Sequence, residues 1–127
     1  MNRARREQPV PANLLRIYCV SGDKAPGGKA LPDAIVEAAR AAQLGGASVL
    51  VAKAGYSRGG FFYDEILSEA FMDRQPVVVE IVDRPERLGE FMPALNSLVN
   101  GRRLITLEKA TVIYYRPVEK PASSTSA

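Results

Sequence analysis

The chain has 127 residues, which is the length of one domain, and 46% of them are hydrophobic, so it can build an apolar core. It has no histidine and a single cysteine, Cys19. This excludes an internal disulfide, metal sites built on histidine or several cysteines, and catalytic triads that use histidine. No apolar run approaches the ~20 residues of a membrane-spanning helix, and residues 1–6 do not resemble a signal peptide, so we expect a cytoplasmic protein.

The net charge of +3 lies at the two ends of the sequence. Residues 1–13 hold three arginines and one glutamate, and residues 116–127 hold one arginine, one lysine and one glutamate, so residues 14–115 are neutral. Nucleic-acid-binding domains usually carry excess positive charge on a folded face. We therefore expect flexible tails at 1–13 and 116–127, a folded domain at 14–115, and no nucleic-acid partner.

Hydrophobic spacing predicts four strands and two helices. In chain order they are a strand at 14–20, a helix at 31–44, strands at 47–54 and 77–82, a helix at 85–99, and a strand at 104–115. Asp83 and Glu86 predict a capping box at the start of the second helix. The alternation of apolar and polar residues falters near Glu108, which predicts a β-bulge there. The order β-α-β-β-α-β is typical of the α+β ferredoxin-like fold.

In that fold three connections meet at one end of the sheet: the loop 22–30, the connection 55–76 and the turn 100–103. The loop contains Gly28 and Lys29, and the turn contains Gly101, Arg102 and Arg103. Glycines expose backbone N–H groups, and cations supply charge, so two such clusters together predict a phosphate site. Turn glycines with solvated cations are the alternative interpretation of each cluster.

The connection 55–76 has 22 residues and begins with Gly55 and Tyr56. Loops longer than ~12–15 residues in a compact domain are usually functional or disordered. One hypothesis is a mobile loop that orders when a ligand or partner binds. The other is a short helix around residues 66–71 that covers the sheet.

The sequence resembles a known family, the PII-like proteins of the domain of unknown function 190. The resemblance rests on residues 15–18, 23, 28–31, 34–36, 44–49, 55–56, 76–83 and 104–109. It implies a homotrimer of ferredoxin-like subunits with an adenine nucleotide (AMP, ADP or ATP) in each cleft between subunits. It also implies that the long loop reaches a target such as a membrane transporter or an enzyme.

Carried onto this chain, the resemblance makes Gly101, Arg102 and Arg103 the candidate phosphate contacts. Gly28 and Lys29 are weaker candidates, and Gly55 and Tyr56 form the base of the long loop. Neighbouring residues on a strand face opposite ways, so we expect one arginine to dominate and choose Arg103. Family members often have a glutamate where this chain has Ser21 and Gly22, and histidines where it has residues 59–63, which leaves the nucleotide and the target open.

Two classes of function follow. The favoured hypothesis is a nucleotide-sensing regulator that needs no cofactor and has no catalytic residues. The alternative is a small enzyme acting on a phosphorylated substrate, with Asp23, Lys29, Tyr56 and Arg103 doing acid–base work, although no nucleophile–base pair is visible. An RNA-binding module ranks third because the core is neutral.

Overall fold

The computed structural model describes residues 9–56, the backbone of residues 62–64, and residues 74–113. These contain six strands and two helices. In chain order they are β1 (Val10–Val20), α1 (Leu31–Ala41), β2 (Ala47–Val51), β3 (Ala54–Tyr56), β4 (Phe62–Asp64), β5 (Pro76–Asp83), α2 (Pro85–Val99) and β6 (Leu104–Val112).

Four of the strands form an antiparallel sheet in the order β2-β5-β1-β6. This is the order of a ferredoxin-like sheet, so the predicted α+β fold is confirmed. Tyr18 near the end of β1 lies opposite Val78 near the start of β5 and Leu104 at the start of β6. The loops after β1 and β2 and the loops before β5 and β6 therefore meet at one end of the sheet, as predicted.

Both helices pack on the same face of the sheet and form the core with it. Alternate residues of β1 and β5 point to the helices, because side chains on a strand alternate between faces. The fully buried members with the largest side chains are Leu15, Ile17, Ile35, Val79, Ile81, Leu88 and Leu95. Within the described ranges, no helix is both long and apolar enough to cross a membrane.

Strand β1 begins four residues earlier than predicted. Residues 10–13 pair with residues 109–112 of β6, and Ala12 is only 3% exposed. Residues 10–13 therefore belong to the sheet, and the predicted start of the first strand at residue 14 is wrong. Residues 1–8 and 114–127 lie outside the described part of the chain, so the tails predicted there stay a prediction.

Two predicted element boundaries also change. Helix α1 ends at Ala41 instead of residue 44, and β2 ends at Val51 instead of residue 54. Ala54 starts β3, which pairs with β4 in a separate two-stranded sheet. The predicted bulge near Glu108 is wrong, because β6 pairs with β1 without interruption from Leu104 to Val112. The helix expected around residues 66–71 lies outside the described residues.

Asp83 does not form the predicted capping box with Glu86. The residue at the N-cap of α2 is Arg84, and no side chain caps the helix. The Asp83 carboxylate instead accepts hydrogen bonds from the backbone N–H of Gly45 at 2.8 Å and of Arg84 at 2.6 Å. Arg87 Nε donates to the same carboxylate at 3.3 Å. Asp83 thus ties the turn before β2 to the start of α2.

Candidate functional site

An ion pair joins the loop after β1 to the turn before β6. Arg103 Nε donates to Asp23 Oδ2 at 2.6 Å, and Arg103 Nη2 donates to Asp23 Oδ1. The Asp23 side chain is 7% exposed and that of Arg103 is 32% exposed. Asp23 Oδ2 also accepts a hydrogen bond from the backbone N–H of Val20 at 2.8 Å. The two predicted phosphate-binding segments therefore lie side by side, held by a largely buried two-point contact.

The ion pair sets the electrostatics of its surroundings. The hydrogen bond to Asp23 raises the pKa of Arg103 above its ordinary value, although partial burial opposes the shift. Cys19 lies in the buried core next to this pair. Burial, with a smaller contribution from the Asp23 charge, raises the pKa of the Cys19 thiol from 9.0 to about 12. Cys19 is therefore a protonated core residue at neutral pH.

The loop that contains Gly28 and Lys29 is folded back on itself. Lys24 and Ala30 form an antiparallel bridge, and the N–H of Ala25 donates to the carbonyl of Lys29 at 2.8 Å. Gly28 has a φ of +97°, a conformation that favours glycine. The Lys29 ammonium forms an ion pair with Glu37 on α1. The loop presents exposed glycines at its tip, and its one candidate cation already has an intramolecular partner.

In the turn before β6, α2 ends with two residues in the left-handed backbone conformation. Asn100 and Gly101 have φ values of +55° and +70°, and the N–H of Arg102 donates to the carbonyl of Val99 at 3.2 Å. Arg102 is exposed, and its side chain has no hydrogen-bond or ion-pair partner within the described residues. Arg102 is therefore the candidate arginine whose donors are all available to a ligand.

Gly55 and Tyr56 lie at the same end of the molecule but at the other edge of the sheet. They form part of β3, shortly after edge strand β2, and the Tyr56 side chain is 74% exposed. Three strand spacings separate β2 from β6, which corresponds to about 14 Å. The structure thus brings the loop 22–30 and the turn 100–103 together within one chain, and it leaves Gly55 and Tyr56 apart from them.

Gln75 links the loop after β1 to the end of β2, a role that the sequence did not predict. The N–H of Ser21 donates to the Gln75 carbonyl at 2.9 Å, and Gln75 Nε2 donates to the Ala52 carbonyl at 3.2 Å. Its only signal in the sequence is its position directly before Pro76, where β5 begins. Asp23 entered the sequence analysis as a family match and as a residue of the enzyme alternative, and its role as the partner of Arg103 was not predicted.

Within the same described residues, no group of three or more carboxylate or thiol side chains is placed to hold a metal ion. The site combines two glycine turns with Arg102, whose exposed side chain has no partner within the described residues. This arrangement can bind an anion.

Comparison with known proteins agrees with this architecture. The model of the family DUF190, described as Uncharacterized ACR, matches residues 12–112 of the chain. The protein belongs to the DUF190 family. A UPF0166 protein of Aquifex aeolicus (strain VF5) is 37% identical over 105 residues, which cover 83% of this chain and 96% of the relative. The resemblance stated from the sequence is therefore confirmed.

Solved structures show the same PII-like fold. A structure from Thermus thermophilus, described as a PII-like signaling protein, has a TM-score of 0.53 at 17% identity and covers 83% of this chain and 90% of its own. CPII from Thiomonas intermedia K12, described as a nitrogen regulatory PII-like protein bound to ADP, AMP and bicarbonate, has a TM-score of 0.58 at 12% identity. That match covers 87% of this DUF190 chain and 100% of CPII.

Proposed function

We propose that this DUF190 protein is a cytoplasmic, trimeric PII-like regulator that binds an adenine nucleotide between subunits and signals through the connection 55–76. The nucleotide's phosphates lie against the turn 100–103 and the tip of the loop 22–30. The observation that carries the proposal is the Asp23–Arg103 ion pair, which holds these two segments together. The description of CPII as bound to ADP and AMP supports adenine nucleotides as the ligand class.

The positions of the two edge strands support a ligand between subunits. Gly55 and Tyr56 follow edge strand β2, whereas Gly101 and Arg102 precede the opposite edge strand β6. A head-to-tail ring places unlike surfaces of neighbouring copies against each other. In such a ring the β2 edge of one copy lies beside the β6 edge of the next. The base of the long connection in one subunit then faces the phosphate-binding turn of its neighbour.

The two arginines of the turn have different roles in this proposal. Arg103 was the preferred phosphate contact from the sequence, but Asp23 engages both Nε and Nη2 of its guanidinium. Arg102 has no such partner within the described part of the chain. We therefore assign the direct phosphate contact to Arg102 and assign Arg103 to positioning the loop 22–30 against the turn.

Calorimetric titration of AMP, ADP and ATP, with and without bicarbonate, tests the ligand. The wild type is expected to bind at least one of the three nucleotides. A charge-assisted hydrogen bond contributes about 1.5–3 kcal/mol, so Arg102→Ala should weaken binding about tenfold or more. Arg40→Ala, an exposed arginine in the last turn of α1, is the matched control and should bind like the wild type. If no adenine nucleotide binds to the wild type, the proposal is wrong.

The substitution Asp23→Asn separates the two roles of the arginines. If Arg103 positions the loop, loss of the Asp23 charge loosens the contact and weakens nucleotide binding. If Arg103 instead contacts the phosphate directly, removal of a competing carboxylate strengthens binding. Tighter nucleotide binding by Asp23→Asn would therefore indicate that Arg103 contacts the phosphate directly.

The enzyme alternative is tested in the same samples. Two of its four candidate residues, Asp23 and Arg103, are bonded to each other, which favours a positioning role over acid–base chemistry. Incubation of the protein with each nucleotide, followed by chromatography, should show no turnover. Hydrolysis that Asp23→Asn abolishes would instead identify an enzyme.

A further inference from the structure

A line of contacts crosses the sheet at the end that carries the proposed nucleotide site. The strands lie in the order β2-β5-β1-β6, and the residues that flank them touch one another in the same order. Arg103, before β6, bonds to Asp23 in the loop after β1. Ser21 in that loop bonds to Gln75 before β5, and Gln75 bonds to Ala52 just after β2. The line therefore joins the phosphate-binding turn to the start of the long connection.

The turn that holds Ser21 is closed by Asp23. The N–H of Val20 donates to Asp23 Oδ2 at 2.8 Å, and the N–H of Asp23 donates to the Val20 carbonyl at 3.0 Å. Ser21 lies between these two bonded residues, so its position depends on that of the Asp23 carboxylate. A ligand that shifts Arg103 or the loop 22–30 therefore also shifts Ser21.

Gln75 contacts the flanking residues of both neighbouring strands. Its backbone N–H donates to Ser21 Oγ at 3.3 Å, and its carbonyl accepts from the N–H of Ser21 at 2.9 Å. Its side-chain Nε2 donates to the Ala52 carbonyl at 3.2 Å. Any residue other than proline supplies the two backbone contacts, whereas the third needs a side chain with an N–H donor at the right length. The glutamine side chain at this position therefore matters for the contact with Ala52.

Ala52 and Gln75 lie where the chain leaves β2 and enters β5. The N–H of Ala52 donates to the Pro76 carbonyl at 2.9 Å, so a backbone bond and the Gln75 amide hold the two ends of the connection together. Both residues are half-buried. A hydrogen bond between neutral groups changes an equilibrium about two- to tenfold, which is enough to bias the connection between two arrangements. Breaking it leaves the ladder of the four-stranded sheet in place.

We propose that Gln75 is a positioning residue that couples the nucleotide site to the connection 55–76. The two states are the Gln75–Ala52 hydrogen bond formed, as in this structure, and broken. Phosphate bound at the loop 22–30 moves Ser21, Ser21 moves Gln75, and the amide then keeps or loses its hold on Ala52. The inference rests on the proposed function and names the side chain through which the connection responds. Coupling between two sites is reciprocal, so a partner that holds the connection also changes the affinity for nucleotide.

The experiment places an environment-sensitive fluorophore on Lys53→Cys, next to Ala52. Lys53 is exposed and Cys19 is buried, so the reagent labels position 53 in the folded protein. Emission is recorded without nucleotide and at saturation with AMP, ADP or ATP, whichever binds most tightly in calorimetry. Saturation removes the effect of a changed affinity from the comparison. The labelled protein with Gln75 intact should change its emission when the nucleotide binds.

Three substitutions of Gln75 separate coupling from a structural role. Gln75→Met has no donor, Gln75→Glu keeps the shape without a donor, and Gln75→Lys keeps a donor. Met and Glu variants should still bind nucleotide but lose at least about half of the emission change, since a bond of this kind shifts an equilibrium two- to tenfold. The Lys variant should retain most of the change. Gln43→Met, an exposed glutamine at the opposite end of the sheet, is the control and should respond fully.

Hydrogen exchange at the Ala52 amide gives a second measurement without a label. This N–H bonds to the Pro76 carbonyl beside the Gln75 amide. Its exchange rate should change with nucleotide in the wild type and change much less in Gln75→Met. A merely structural role would lower the heat stability of the variants and leave both responses to nucleotide intact. Circular dichroism verifies folding, and if Gln75→Met does not fold, the Glu and Lys variants compare the same bond.

The outcomes separate this inference from the proposed function. A wild type that binds no adenine nucleotide overturns both. A wild type that binds nucleotide with no change in the label or in Ala52 exchange overturns this inference alone, as does a Gln75→Met variant that responds fully. Loss of nucleotide binding itself in the Met and Glu variants would make Gln75 part of the nucleotide site and would also overturn the coupling role.

Discussion

Asp23 and Arg103 lie 80 positions apart in the chain and form a two-point ion pair at one end of the sheet. The carboxylate is 7% exposed, so its charge is compensated almost entirely by the guanidinium and by the N–H of Val20. Removal of one member leaves the other partly buried without its partner. The same contact fixes the relative position of the two segments that we assign to the nucleotide.

We expect the Asp23–Arg103 pair to stabilise the fold measurably. A double-mutant cycle of Asp23→Asn and Arg103→Met, measured by urea unfolding, should give a coupling energy of about 2 kcal/mol. Arg103 is a third exposed, so the cost of breaking the pair should fall below the ~3–5 kcal/mol of a fully buried one.

Lys29 and Glu37 provide the matched control because they form an ion pair from the same loop to α1 with side chains 49% and 64% exposed. Their coupling should stay below about 1 kcal/mol. Equal coupling in the two cycles would mean that the burial of Asp23 contributes nothing.

Cys19 should give the unfolding free energy a specific dependence on alkaline pH. Its thiol titrates near 9.0 when unfolded and at about 12 in the folded protein. Between these values the unfolded chain loses the proton and the folded chain keeps it, so stability falls as pH rises. The slope is at most about 1.4 kcal/mol per pH unit. Below pH 9.0 both states are protonated, and the contribution of Cys19 does not change.

The measurement compares urea unfolding of the wild type and Cys19→Ala from about pH 8 to 11, a range that spans the titration of the unfolded thiol. All other side chains are the same in both proteins, so the difference between the two curves reports Cys19. That difference should shrink steadily above pH 9.0. A constant difference across the range would contradict the raised pKa, as would rapid alkylation of Cys19 in the native protein at the lower end of the range.

The sequence predicted the fold well where periodicity and turn residues agree. Helix α2 begins and ends where predicted, because Pro85 suits its first turn and Asn100–Gly101 ends it. The start of β1 was missed because Pro9 and Pro11, together with the arginines before them, suggest a flexible tail. Before Asn13, β1 pairs only with β6, so this stretch is an edge strand, where a proline without an N–H is tolerated.

For the candidate site, the sequence predicts which segments lie together but not which side chains pair. Topology brings the loop 22–30 and the turn 100–103 to one end of the sheet, and the sequence is sufficient for that step. Which carboxylate neutralises which cation depends on side-chain directions that a sequence pattern does not contain. Arg102 and Arg103 are adjacent in the chain, yet only Arg103 points to Asp23.

Truncation should show where the stably folded domain begins. Deletion of residues 1–9 keeps all of β1, whereas deletion of residues 1–13 removes the stretch that pairs with residues 109–112 and includes buried Ala12. We expect the longer deletion to be less stable than the shorter one by about 1–3 kcal/mol, from lost ladder hydrogen bonds and apolar burial. Thermal unfolding of the two proteins side by side measures this. Equal stability would mean that residues 10–13 contribute nothing to the sheet.

Asp83 should contribute more to stability than its sequence neighbour Glu86. The Asp83 carboxylate accepts from the N–H groups of Gly45 and Arg84, and its side chain is 10% exposed. Asp83→Ala leaves the N–H of Gly45 and the Nε of Arg87 without their acceptor. A lost charge-assisted hydrogen bond costs about 1.5–3 kcal/mol, so we expect a destabilisation in that range, measured by urea unfolding.

Glu86→Ala is the matched control because a capping box would need Glu86 as much as Asp83. Glu86 lies in the first turn of α2 and is exposed, and no side chain caps that helix. Its replacement should therefore change stability by less than about 0.5 kcal/mol. If the two substitutions destabilise the protein equally, the result supports a capping box of Asp83 and Glu86, with Asp83 acting on α2 alone. If Asp83→Ala alone is costly, the carboxylate holds the turn before β2 against α2, at the end of the sheet opposite the proposed nucleotide site.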